Sequence, residues 1–223
     1  MLIVFSGVDG AGKSTQIDCL NKKMLLRGLE TEVIWSRGGY TSGFEFVKKL
    51  VRLTLGKKTI PSGRSVRRDK VMSSPLVSRV WLLAALIDLI LLYVVIIRFK
   101  SLSGSHIICD RYVGDTFIDF SLNFPQVDFE QMWLWKLLVN CSPRPDVGFL
   151  FILPEGDSIK RSKLKNEPFP DSLETLKSRI AIYLSSSLFK GQSWMVVDGL
   201  ESIEATSEKV VNKMLDLRVL KNF

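Results

Sequence analysis

The segment GVDGAGKS, Gly7 to Ser14, satisfies the pattern G-x-x-x-x-G-K-[ST] at every position. Gly7, Gly10 and Gly12 let the backbone turn tightly and aim successive N–H groups at phosphate oxygens, and a helix opening behind them adds the positive end of its dipole. Lys13 supplies a cation for the outer phosphates of a nucleoside triphosphate, and the Ser14 hydroxyl supplies a ligand for magnesium. Ala11 and Thr15 complete the loop and the helix start. The competing reading is a glycine-rich turn with an accidental lysine. It is the poorer one, because an apolar strand, LIVFS, precedes the loop and a helical pattern, STQIDCLNKKMLLRG, follows it.

A second polar group stands far along the chain in CDRY, Cys109 to Tyr112, at the end of the strand HIICD. Ligands collect at the C-terminal edge of open parallel sheets, so Asp110 is placed to approach a magnesium shell or a substrate hydroxyl. Arg111 is a planar, permanently charged fork suited to an acceptor phosphate. A structural Asp-Arg pair at the strand end is the alternative.

The elements that must position these residues alternate along the chain. After LIVFS come TEVIWS, HIICD, VGFLFIL and WMVVD as strands, with helices between them and a closing helix near IEATSEKVVNKMLDL. Such alternation implies right-handed crossovers and an α/β fold with a five-stranded parallel sheet covered on both faces. The 223 residues suit a single domain with one core, 1–223. Cys19, Cys109 and Cys141 are scattered and odd in number, so neither a disulfide framework nor a zinc site is expected, and the compartment expected is the reducing cytoplasm. The N-terminus has no basic region ahead of its apolar residues and does not read as a signal peptide.

The net charge of +8 gathers in KKTIPSGRSVRRDK, residues 57–70, and in KRSKLK, residues 160–165. Basic clusters attract phosphate in any form. No aromatic interleaving or nucleic-acid motif accompanies them, which ranks nucleic acid below small phosphorylated ligands.

In these motifs the chain resembles the thymidylate kinase family of P-loop nucleoside monophosphate kinases. FSGVDGAGKSTQ resembles its phosphate loop, SRGGYTSG its turn after the second strand, CDRY its Asp-Arg-Tyr element, and PDVGFLFILPEGDSIKRSKLKNEPF its fourth strand and lid. The resemblance implies a three-layer P-loop kinase fold with a lid near 155–170 and a basic insertion near 56–75. It implies ATP and Mg2+ as cofactors, a nucleotide and a small phosphorylated acceptor as partners, and a homodimer. Asp9 would lie near the acceptor sugar hydroxyl, and Arg37 and Arg111 would hold the acceptor phosphate, with Asp110 and Tyr112 beside them. Ala11 stands where one subgroup of the family carries an arginine, so the lid would supply the mobile charge through Arg161, Lys163 and Lys165, with Glu167 as a lid carboxylate. A solvated helix face is the other reading of KRSKLK.

One stretch departs from the family. VWLLAALIDLILLYVVII, residues 80–97, occupies the helix that in thymidylate kinases presents an aromatic residue and, four positions later, an arginine to the base and acceptor. Here those positions are Ala85 and Leu89, leaving Trp81, Asp88 and Tyr93 as the helix's candidates for gripping an acceptor. At ~1.5 Å per residue the run approaches the ~30 Å of a bilayer core. A span there would put the phosphate loop and Arg111 on opposite sides of a membrane, so a helix buried against the sheet is expected, with peripheral contact to a membrane or a second copy as the remainder. Three functions follow: a nucleoside monophosphate kinase with dTMP as the family's acceptor; a kinase of the same fold for a sugar, sugar phosphate or lipid-linked acceptor; or a catalytically silent nucleotide-binding interaction protein.

Overall fold

The computed structural model describes residues 1–36, 75–165 and 171–217. Arg37, the stretch FEFVKKLVRLTL that reads as one of the helices between the second and third strands, the basic 57–70 stretch and Glu167 lie outside the described residues.

Five strands, β1 (Leu2–Gly7), β2 (Thr31–Trp35), β3 (His106–Asp110), β4 (Val147–Ile152) and β5 (Trp194–Asp198), form one parallel sheet in the order β2-β3-β1-β4-β5. Each expected strand is present to within a residue at its end. β1 sits in the middle because its six residues are all buried, with no polar face to offer water. Its alternation divides the core. Leu2 and Val4 join one apolar cluster with the helices on one face of the sheet, and Ile3 and Phe5 join another on the opposite face.

The second cluster is covered by α1 (Lys13–Leu25), through Ile17, Leu20 and Met24, and by α7 (Ile203–Asp216), through Val210 and Met214. The first is covered by α2, which runs as Pro75–Ile90, a π-helical segment Leu91–Ile97 and a last turn Arg98–Leu102. Between them in sequence lie α3 (Val113–Asn123), α4 (Trp133–Cys141), α5 (Glu155–Leu164) and α6 (Leu173–Ser185).

α2 is buried on one face only. Leu82, Ala85, Leu86, Leu89, Tyr93 and Ile97 recur at helical spacing and are fully enclosed against β1 and β3. Val80, Ile87, Leu91, Val95, Phe99 and Leu102 point outward and are more than half exposed. Val77–Leu102 is long and apolar enough to cross a membrane, yet its inner face belongs to the core. The expected buried helix is therefore corrected to a helix with an apolar outer face, a feature that composition alone could not separate from burial. On the neighbouring α4, Trp135 packs into the same core while Trp133 is exposed. This is the split expected of two tryptophans two positions apart on a helix.

Candidate functional site

Parallel pairing brings the C-terminal ends of β1, β3 and β4 to one edge. Phe5 is level with Asp110, Trp35 is level with Asp110, and Gly7 is level with Phe151. β1 continues into the loop Gly7–Gly12, in which Gly7, Gly10 and Gly12 all have positive φ. A Cβ on Gly7 would sit 2.0 Å from the carbonyl oxygen of Phe151, so the loop's first turn can be built only by glycine. The loop opens directly into α1, whose first residue is Lys13.

The Lys13 ammonium is buried and donates to the carbonyls of Gly7 at 3.0 Å and Val8 at 2.7 Å. Burial, and then the neighbouring Arg111, push its pKa down from the usual lysine range to about 8, against the pull of Asp9, Asp110 and Asp115. Ser14 is exposed at the same mouth.

Arg111 is the non-glycine residue with positive φ among the described residues, at 77°. Its backbone N–H donates to Phe5 at 2.8 Å, which ties the turn to the end of β1. Its guanidinium is buried, pairs with the Asp9 carboxylate, and lies 3.4 Å from Asp115 Oδ1. Burial alone would lower its pKa, but Asp9, Tyr183 and Asp115 outweigh that and hold it well above the ordinary arginine value. The pKa of Asp110, half-buried beside Lys13 and Arg111, is pushed up by burial, and its Oδ1 has no hydrogen-bond partner among the described residues.

These groups share a polar cavity of about 150 Å³ walled by Asp9 to Ser14, Trp35, Asp110, Arg111 and Lys165. A second cavity of about 260 Å³ adjoins it across Gly10, Ala11 and Gly12 and is lined by Thr15, Gln16, Phe151, Arg161, Gly199, Glu201 and Ile203 among others. Lys165 reaches both cavities. α5 is latched to the loop: the Ser158 hydroxyl donates to Asp9 O at 2.7 Å, and Arg161 donates to Gly10 O at 3.1 Å and Gly199 O at 2.9 Å. The first cavity gathers the loop backbone with the side chains of Lys13 and Arg111, a lining chemically suited to phosphates, and its neighbour is the larger of the two.

The donor set fits magnesium. Asp110 Oδ1, unpaired among the described residues, and the exposed Ser14 hydroxyl offer oxygen atoms on one wall, and no cluster of three or more His, Cys, Asp or Glu competes among the described residues. Magnesium is ordinarily held this way, by one or two protein oxygens together with substrate phosphates.

No protein-family model matches the chain. Curated relatives do. Thymidylate kinase of Bartonella henselae is 24% identical over 216 residues, covering 93% of this chain and 92% of that protein. Those of Pelodictyon phaeoclathratiforme and Prochlorococcus marinus are 29% identical over 169 residues and 26% over 222, covering 74% and 97% of this chain and 67% and 93% of theirs. Along most of its length the chain is thus similar to thymidylate kinases.

Against that family, several site expectations fall elsewhere. Tyr112 lines neither cavity: its ring packs on Tyr93 with centroids 4.5 Å apart, and its hydroxyl donates to Pro143 O at 3.0 Å. The left-handed turn at Arg111 swings the next residue into the core. Lys163 is exposed and lines neither cavity, nor does the half-buried Asp88 on α2. Ala85 and Leu89, at the family's base-reading positions, are sealed in the core. The Tyr93 hydroxyl of α2 lies 2.7 Å from Ser36 Oγ, which donates to Arg111 O at 3.2 Å, and neither residue lines a cavity.

The sequence does not single out Tyr183, and it leaves Asp115 and Asp119, one turn apart after CDRY, as either lining the acceptor cleft or exposed; both are buried and line neither cavity. Asp119 makes a buried ion pair with Arg179 at 2.7 Å, and Arg179 also holds Asp171 at 2.9 Å. Asp115 is almost completely buried beneath the phosphate loop. Four-residue spacing from Arg111 hinted at a pair, but a helical rule has no warrant at a left-handed residue.

The pH behaviour of Lys13 follows by linkage. An unfolded lysine titrates near ~10.4. Between about pH 8 and that value the unfolded chain holds a proton that the folded, ligand-free chain has released, so stability rises with pH across this window. Below it, both states carry the charge and the burial penalty is fully felt. A bound triphosphate favours charged Lys13, so above about pH 8 binding must take up a proton. Calorimetric titration of Mg-ATP should show weaker binding at about pH 9 than at about pH 7, with net proton uptake at the higher pH. Equal affinity, or proton release, would contradict this account of Lys13.

Proposed function

We propose that the protein is a Mg-ATP-dependent phosphotransferase that moves the γ-phosphoryl group of ATP to a nucleoside monophosphate. The observation that carries the reading is that Arg111, Asp9 and Asp110 open into the same cavity as Gly10–Ser14, although β3 and β1 are about a hundred residues apart in sequence. The names of the curated relatives agree with it.

The loop N–H groups and Lys13 would hold the β- and γ-phosphates, and the adjoining cavity would take adenine beside Gly199 and Glu201. Magnesium, held by Ser14 and Asp110, would supply charge neutralisation at the phosphate oxygens. Arg111 would orient the acceptor phosphate in line with the γ-phosphorus, with Arg37 as its partner. Asp9, paired with Arg111, would orient an acceptor hydroxyl. Arg161 and Lys165 stand beside Ala11 and would meet the charge spread over the transferring group. Residues 155–170 are read as the lid and 1–223 as one kinase domain.

Burial of Ala85 and Leu89 favours a second reading for the acceptor alone. A site that hydrogen-bonds a base discriminates by leaving its own polar groups unpaired against the wrong one, and these two positions offer no such group. The acceptor is thymidylate if other residues supply those contacts, and another monophosphate if they do not. A coupled ADP-release screen across nucleoside monophosphates, sugars and sugar phosphates separates the cases. Turnover is expected with at least one nucleoside monophosphate and should vanish in Lys13→Ala. Turnover on sugars alone would refute the nucleotide acceptor, and wild-type ATP binding in Lys13→Ala would refute the phosphate site.

The outer face of α2, with Trp133 beside it, supports a second copy of the chain as partner. Sedimentation equilibrium should return twice the 25.3 kDa chain mass, and Ile87→Asp should return the monomer. A wild-type monomer that co-sediments with anionic vesicles would replace the dimer with a membrane surface.

A further inference from the structure

Asp115 lies in the third position of α3 and touches no cavity, yet five donors converge on it. Oδ2 accepts from the Ser6 hydroxyl at 2.5 Å and the Tyr112 N–H at 3.0 Å. Oδ1 accepts from the Tyr183 hydroxyl at 2.6 Å, the Gly7 N–H at 3.4 Å and Arg111 Nη1 at 3.4 Å. These donors come from the end of β1, the turn after β3 and the last turn of α6.

The geometry points to Asp115 as the positioning residue for Arg111, an inference that rests on the phosphotransferase reading above. Arg111 has two jobs that conflict. Its backbone occupies a left-handed conformation that is costly for a non-glycine residue, while its guanidinium must be held still in a buried site. Asp115 addresses both. It takes the N–H of Tyr112, the residue that leaves the left-handed turn, and it takes one nitrogen of the guanidinium, leaving the other for Asp9 at the cavity wall. Tyr183 fixes the carboxylate from the far side. Burial, and then Asp115 itself, push the tyrosine's pKa well up, so its hydroxyl remains a donor. Its ring is separately packed on Phe189, with centroids 5.1 Å apart.

An asparagine at 115 would turn an NH2 toward donors on one side or the other, whereas a phenylalanine at 183 removes one hydroxyl and keeps the packing. The test needs no knowledge of the acceptor. Adenosine 5′-tetraphosphate carries one phosphate beyond the γ-position, toward Arg111, and the ratio of its affinity to that of ATP reads the Arg111 grip. A general loosening of the fold weakens both ligands together and leaves the ratio unchanged.

Wild-type protein should favour the tetraphosphate by about tenfold, Asp115→Asn should bring the ratio to about one, and Tyr183→Phe should lower it by about two- to threefold. Failure of the wild type to bind ATP would sink the phosphotransferase reading itself. ATP binding with no preference for the tetraphosphate, or with a preference that survives in Asp115→Asn, would overturn the role of Asp115 alone. If Asp115→Asn does not fold, an undiminished ratio in Tyr183→Phe overturns it.

Discussion

Arg111 is a permanent cation in a buried position, and the candidate site is arranged around keeping it there. Leaving such a charge unpaired costs roughly 3–5 kcal/mol, so its carboxylates are structural necessities before they are anything else. Asp9 approaches from the phosphate loop and Asp115 from α3, while the Arg111 N–H is taken by β1. One residue thus binds the loop, the central strand and the helix that follows β3 into a unit. Phosphate oxygens that entered the cavity would compete for the same guanidinium, which is why its aim matters to function.

The sheet order makes this junction possible. β1 is flanked by β3 and β4, so the chain leaves the sheet in different directions at neighbouring strand ends and opens a crevice there. Gly7 can lie against Phe151 only because it has no side chain, and α5 can close on the loop because Gly10 lets Arg161 approach. On the far face of the sheet the demand is only for apolar volume. α2 meets it with one face and leaves the other bare.

Most of this architecture was legible in the residues. The strands announced themselves as short apolar runs, and the phosphate loop carries a pattern whose spacing is dictated by its ligand. What stayed hidden had no local signal. Tyr183 and Asp115 are 68 residues apart and meet only because α3 and α6 pack together. Tyr112 reads as a site residue until the positive φ of Arg111 is known. The two faces of α2 are equally apolar, so no periodicity could say which one the core would take.

The central claim is that Arg111 and the phosphate loop serve one transfer reaction. A single-turnover experiment with γ-labelled Mg-ATP and the nucleoside monophosphate that the protein accepts follows the label directly. The account predicts that the label passes to the monophosphate, and that Arg111→Ala slows this passage by about a hundredfold or more while ATP still binds. Label released only to water, or transfer at an undiminished rate without Arg111, would contradict it.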